Sequence, residues 1–171
     1  LVKPGAEVHR LELEEGTNVM GRVLHEGQPV AGVSVGIVQT DRRTENFLGQ
    51  YRIGTDEAGR FSIPNLPTGE SLAVYGIIDS MRDIGALRVK QFQSASGATT
   101  DVGDLAIRPA HTIAGRIVLA DGKPVPPRTR VMISRDAAWD STFVEADANG
   151  AFVASGIPTE VVEVIVRVKG Y

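Results

Sequence analysis

No cysteine occurs among the 171 residues, so neither a disulfide framework nor a thiolate metal site is available to this chain. That absence alone does not fix the compartment. No run approaches the ~20 consecutive apolar residues of a membrane-spanning helix, and residues 1–20 hold no apolar core of a secretion signal. If the protein is exported, its targeting signal is expected outside this stretch. An excess of positive charge is also lacking. Eighteen Lys and Arg stand against 21 Asp and Glu, for a net charge of −3, which argues against a nucleic-acid partner or insertion into an anionic membrane. Histidine is scarce and scattered (His9, His25, His111), without the paired spacing of a metal site. No cofactor is implied.

What is abundant is punctuation. Nineteen glycines and nine prolines interrupt the chain too often for long helices, and the runs between them are short and rich in Val and Ile. That is the pattern of an all-β sandwich.

The punctuation repeats. Gly21-Arg22-Val23-Leu24-His25-Glu26-Gly27-Gln28-Pro29-Val30 returns as Gly115-Arg116-Ile117-Val118-Leu119-Ala120-Asp121-Gly122-Lys123-Pro124-Val125. The turn Thr55-Asp56-Glu57-Ala58-Gly59-Arg60-Phe61 returns as Ala146-Asp147-Ala148-Asn149-Gly150-Ala151-Phe152, and Asn65-Leu66-Pro67 as Gly156-Ile157-Pro158. Self-similarity on this scale predicts tandem domains, at 15–108 and 109–171.

Residues 1–14 read in two ways. Leu11 and Leu13 precede Gly21 by the same intervals at which Leu105 and Ile107 precede Gly115. Val8–Leu13 is therefore either the closing strand of a preceding repeat, which the register favours, or an edge strand of the first domain. The second copy lacks a counterpart of 101–107, so its closing strand is expected to be missing.

Strands are expected at 18–24, 33–39, 50–55, 60–63, 72–78, 86–92 and 101–107, with a polar loop over 41–48. Residues 64–69 read as a rigid proline crossing, because proline fixes φ and cannot donate to a ladder. Leu72–Ile78 is apolar at almost every position, as in a strand covered on both faces. Arg108-Pro109-Ala110-His111 reads as a short stiff junction. The second repeat is expected at 112–119, 129–134, 142–147, 151–154 and 161–169, the last with Val162, Val164, Val166 and Val168 facing one way.

These residues resemble the carboxypeptidase regulatory-like domain, a transthyretin-like (prealbumin-like) seven-stranded Greek-key β-sandwich. Its pattern of G-x-V, G-x-P-V-x-G-V-x-V, T-D-x-x-G-x-F-x-I and L-P-x-G falls on Gly21, Val23, Gly27, Pro29, Val30, Gly32, Val33 and Val35. It continues on Thr55, Asp56, Gly59, Phe61, Ile63, Leu66, Pro67 and Gly69. The second copy matches at Gly115, Ile117, Gly122, Pro124, Val125, Asp147, Gly150, Phe152, Ile157, Pro158, Gly170 and Tyr171. It departs at Pro126-Pro127 and Thr159-Glu160. The resemblance implies two tandem sandwiches of this type and an accessory role in exported proteins, and it brings no catalytic residues. A neighbouring adhesin family cross-links a buried strand lysine. Here Arg22 and Arg116 occupy the first strands, and an arginine cannot serve as the amine nucleophile.

Few residues carry chemistry. Gly32-Val33-Ser34-Val35-Gly36 matches the spelling of a nucleophile elbow, but that device needs a strand-to-helix turn and Ser34 sits in an expected strand. Asp147 and Asn149 hold part of a calcium loop, too few oxygens for a full site. Arg128, Arg130 and Arg135 read as cations on a solvated strand face. Trp139, rimmed by Arg135, Asp136 and Asp140, is the candidate for stacking on a sugar ring or a partner side chain; it could equally plug the open end of a sandwich.

The expectation is a non-enzymatic structural or interaction module of a larger, exported bacterial protein, in the periplasm, outside the cell or on its surface. It would space or dock neighbouring domains, a surface protein or a polysaccharide. The alternative is a carbohydrate-binding module built on Trp139. An open sheet edge could also exchange a strand between copies.

Overall fold

A computed structural model of the chain describes residues 5, 8, 10, 12, 15–41, 49–95 and 97–171. Leu11 and Leu13 of the expected first strand, His9, and 42–48 of the polar loop lie outside the described residues. Val8, Arg10 and Glu12 are exposed.

The chain is all-β, in two tandem sandwiches. β1 (Thr17–His25) is the axis of the first sheet. It pairs with β2 (Gln28–Pro29) and β5 (Arg60–Leu66) antiparallel, and with β8 (Thr99–Ala106) parallel. The facing sheet runs β4 (Gln50–Gly54), β3 (Ser34–Gln39), β6 (Ser71–Gly76), β7 (Lys90–Gln93), all antiparallel. Alternation along β1 sends Val19 and Val23 inward, against Ile37, Phe61, Leu72 and Val74 of the first core.

The second sandwich pairs β9 (His111–Arg116) with β12 (Ala151–Ile157). It faces them with β11 (Asp140–Glu145), β10 (Arg130–Arg135) and β13 (Glu163–Val166). Val131, Ile133, Phe152, Ala154 and Ile157 form its core.

The repeated turns fold alike. Asp56 Oδ1 accepts from the N–H groups of Ala58 and Arg60, and Asp147 Oδ1 from those of Asn149 and Ala151. Gly59 and Gly150 hold φ of 70° and 80°. A Cβ there would stand 2.6 Å from the Val23 oxygen and 2.4 Å from the Ile117 oxygen, so glycine is required on both counts.

The expected proline crossing begins later than anticipated. β5 continues through Pro64 to Leu66, because a bulge between Thr17 and Val19 absorbs one extra residue, with Asn65 at φ 59°. The same bulge recurs in β12, with Gly156 at φ 77°. The last strand is shorter than its valine alternation predicts. Val162 and Val166 pack on the second core, whereas Val164, expected on the same face, is 45% exposed.

Between the sandwiches the chain is tied down. Arg108 and Ala86 exchange both backbone hydrogen bonds, and β9 already begins at His111.

Candidate functional site

The feature that distinguishes this molecule lies where the two sandwiches meet. β3 and β6 are buried on both faces, as the apolar run 72–78 predicts. Val35, Ile37, Leu72 and Val74 face the first core, while Val38, Ala73 and Tyr75 pack with Ile77 and Ala138. Ala138 belongs to a one-turn 3-10 helix, Asp136–Ala138, that follows β10. Helix α1 (Ile78–Met81) follows β6, and its Ile78 joins the core of the second sandwich. Burying that one side chain contributes about 1.5–3 kcal/mol to the docking.

At the centre is Arg135, 1% exposed. Its Nη1 donates to the Leu87 carbonyl at 3.1 Å and to Glu160 Oε2 at 3.3 Å. Its Nη2 donates to the Gly76 carbonyl at 2.5 Å and to Asp140 Oδ2 at 2.8 Å. Two acceptors thus come from each sandwich. Asp140 Oδ2 also accepts the N–H of Ile78 at 3.0 Å, capping α1 from across the junction. Around this pair, Thr142 Oγ1 donates to Asp79 Oδ1 at 2.6 Å and accepts from Arg82. Glu160 Oε1 takes the N–H of Val89.

A buried guanidinium survives only when its planar fork finds fixed acceptors. Here carbonyls at the ends of first-sandwich segments and carboxylates of the second supply them.

Tyr75 lies under the same guanidinium, 5.6 Å from ring centroid to Arg135 Cζ. Burial pushes its hydroxyl up to about 12, against the opposing effect of a hydrogen bond from Gln50. Gly36 makes room for the ring: a Cβ there would come within 2.6 Å of it.

The residues singled out from the sequence separate into groups. Arg135 does not stand on a solvated face. It shares parity with Val131 and Ile133 and points inward, whereas Arg128 and Arg130 are exposed. Asp140 is 3% exposed and committed to Arg135 and Ile78, so neither residue rims an open loop. Trp139 is 49% exposed and takes φ 46° as the 3-10 helix ends; Asp136 beside it is exposed.

Ser34 opens β3, with its N–H accepted by Ser80 Oγ. β3 turns into a hairpin partner rather than a helix, so the elbow geometry is not formed. Asp147 spends Oδ1 on its own turn, and the Asn149 carbonyl accepts from Arg116. Among the described residues no group of three or more His, Cys, Asp or Glu could hold a metal ion. Among the described residues no helix is long and apolar enough to cross a membrane.

Two open clefts lie on the surface of the described residues. One, of about 740 Å3, includes Met20, Arg22, Arg60, Asp101 and Asp104 in its lining. Arg22 meets Asp104 there through two 2.9 Å hydrogen bonds, which hold the carboxyl below its ordinary range. The other, of about 540 Å3, lies on the outer face of β10 and includes Arg128, Arg130, Phe143, Ile165 and Lys169. Arg130 sits 4.2 Å over the Phe143 ring.

No family model and no curated protein matches this chain. Solved structures give distant likenesses. The TIE protein of Bacillus anthracis is 17% identical over 83% of this chain, with a TM-score of 0.40. A streptococcal ancillary pilin is 12% identical over 90%, at 0.39, and the shaft pilin SpaA of Lactobacillus rhamnosus GG is 10% identical over 93%, at 0.35. The chain spans 26% of the first of these structures, 59% of the second and 90% of the third. Likeness at this level carries no argument about function.

Proposed function

We propose that this chain is a non-catalytic structural module, with units at 15–108 and 109–171 locked at one angle. It spaces, orients or docks neighbouring domains of a larger exported bacterial protein at the cell surface, outside the cell or in the periplasm. The observation that carries this reading is Arg135, buried at the junction with acceptors from both sandwiches. A flexible tether has no use for such a guanidinium, because any opening takes away the Gly76 and Leu87 carbonyls that hold half of its hydrogen bonds.

The test exploits the lack of cysteine. Spin labels on Glu57→Cys and Ala148→Cys, at equivalent exposed turns, report the distance between sandwiches. We expect one narrow distance distribution that broadens in Arg135→Ala. A broad distribution in the parent protein sinks the rigid-spacer reading.

A role in polysaccharide binding rests on the half-exposed ring of Trp139. It is the single tryptophan, so its emission reports directly. A saturable change with one glycan class supports the role, and a flat response across a broad panel removes it. Docking extends to exchange of a strand between copies, which a concentration-independent monomer in solution would count against.

A further inference from the structure

Although the chain is acidic overall, four of its cations gather in one cleft on the outer face of the second sandwich. β10 is the middle strand of its sheet, bordered by β11 and β13. The surface is therefore a sheet face and not an edge, and strand pairing does not decide whether it is open. Alternation turns Val131 and Ile133 into the core and Met132 outward. The ladder sets Met132 opposite Phe143 on β11 and opposite Ile165 on β13. An apolar row thus crosses three strands and ends in the Phe143 ring, which is 44% exposed.

The cations border this row. Arg130 stands one alternation from Met132, close to Arg128 in the chain. The pairing of Val131 with Val166, carried one step on, sets Arg167 across from Arg130, and Lys169 joins them in the cleft wall. Like charges facing each other across a ladder are unfavourable. Among the described residues no carboxylate lines the cleft, and none of these four cations joins an ion pair. Arg130 has Glu145 opposite it on β11, yet its guanidinium lies over the Phe143 ring at 4.2 Å. The ring holds the planar fork flat and leaves its N–H groups to an incoming acceptor.

The lining side chains offer donors and carbon. The one hydroxyl, Thr129 Oγ1, is turned onto the Pro126 carbonyl. Sugar hydroxyls need acceptors as well as donors, whereas a carboxylate only accepts. The repeat indicates what brings the carboxylates. The Thr55 N–H on the Val33 oxygen and the Ala146 N–H on the Thr129 oxygen put β3 and β10 in one register. Gly36 and Tyr75 are thus the counterparts of Met132 and Ile165. In the first sandwich that face is covered by protein, with Tyr75 packed in one cluster with Ala138 of the second. It is uncharged there at Ser34, Gly36 and Val38, and Arg130 stands in the place of Ser34.

We propose that the outer face of β10 docks an acidic protein segment in which carboxylate side chains flank an apolar one. The apolar side chain lies on Met132, Ile165 and Phe143, and the carboxylates meet Arg130 and Arg167. This rests on the docking role proposed above and not on the fixed angle between the sandwiches, so the two readings fail separately.

A fluorescently labelled copolymer of glutamate and tyrosine, titrated with the whole 171-residue chain, tests it by anisotropy. We expect saturable binding that weakens at least tenfold between about 50 and 300 mM salt, because exposed charges are screened. Arg130→Glu with Arg167→Glu should weaken it by about tenfold or more. Phe143→Ala should cost about threefold, and polyglutamate, which brings no apolar side chain, should bind about threefold less tightly than the copolymer. Arg60→Glu with Arg88→Glu makes the same change in net charge at exposed arginines of the first sandwich, and should leave binding within about twofold. Thermal melts matching the parent verify that the variants fold. Absence of saturable binding overturns the proposal. So does equal weakening by the two pairs of reversals, because the attraction then belongs to net charge. Tighter binding of polygalacturonate than of the copolymer also overturns it, by assigning the cleft to an acidic polysaccharide.

Discussion

Arg135 shows how one side chain sets the character of a junction. Its ion pair with Asp140 is almost fully withdrawn from water, with side-chain exposures of 1% and 2%, so solvent screening does little there. A buried pair of this kind is weak evidence for net stability but costly to break by halves. Arg135→Met should therefore lose roughly 3–5 kcal/mol in denaturant unfolding, since it leaves the Asp140 carboxylate buried with only Ile78 to face it. Arg135→Met with Asp140→Leu should recover much of that loss. Equal losses in the single and double variants would place the energy in packing rather than in the charge.

Tyr75 beside it makes a pH prediction. Its hydroxyl is raised to about 12 in the folded chain, against about 10 for an unfolded tyrosine. Between those values the unfolded state gives up the proton and the folded state keeps it, so stability is intact below pH 10 and falls as pH rises towards 12. The effect is on the order of 2 kcal/mol. Tyr75→Phe should flatten that part of the stability profile, and an unaltered alkaline slope would show that other groups produce it.

At the scale of elements, the twin Asp–Gly turns carry the hairpins. An aspartate that satisfies two backbone donors and a glycine pressed against a facing carbonyl are requirements of the backbone itself, which is why the same letters recur in both copies. Gly150→Ala places a Cβ 2.4 Å from the Ile117 oxygen at φ 80° and should cost at least about 1–2 kcal/mol from conformation alone. Asp147→Ala should cost about 1 kcal/mol, the usual loss for a capping side chain. Thermal melts of both variants check this. A parent melting temperature that rises with millimolar calcium would instead assign Asp147 to a metal.

These turns and most strand positions were legible because each depends on residues close in sequence; the bulges after them were not, since Pro64 reads as a strand end and only pairing with β1 carries β5 on to Leu66. The shortfall of β13 was not, since the valines at 161–169 alternate equally well in a strand that lacks a neighbour. Arg135 was half legible. Its parity with Val131 and Ile133 marks it as inward-facing, but charge alone suggested the surface.

At the scale of the molecule, local sequence already specifies an all-β chain of tandem sandwiches, where its turns fall, and which faces of its strands are apolar. Those properties follow from local backbone preference and from a period of two. How the sandwiches meet is set by contacts between residues distant in the chain. The docking of Ile78 into the second core joins residues distant in the chain, and the cap that Asp140 places on α1 and the convergence of the Gly76 and Leu87 carbonyls on Arg135 span 62, 59 and 48 positions. No periodicity encodes such a meeting. It depends on the angle at which one sandwich closes on the other, and that angle exists only once both are folded.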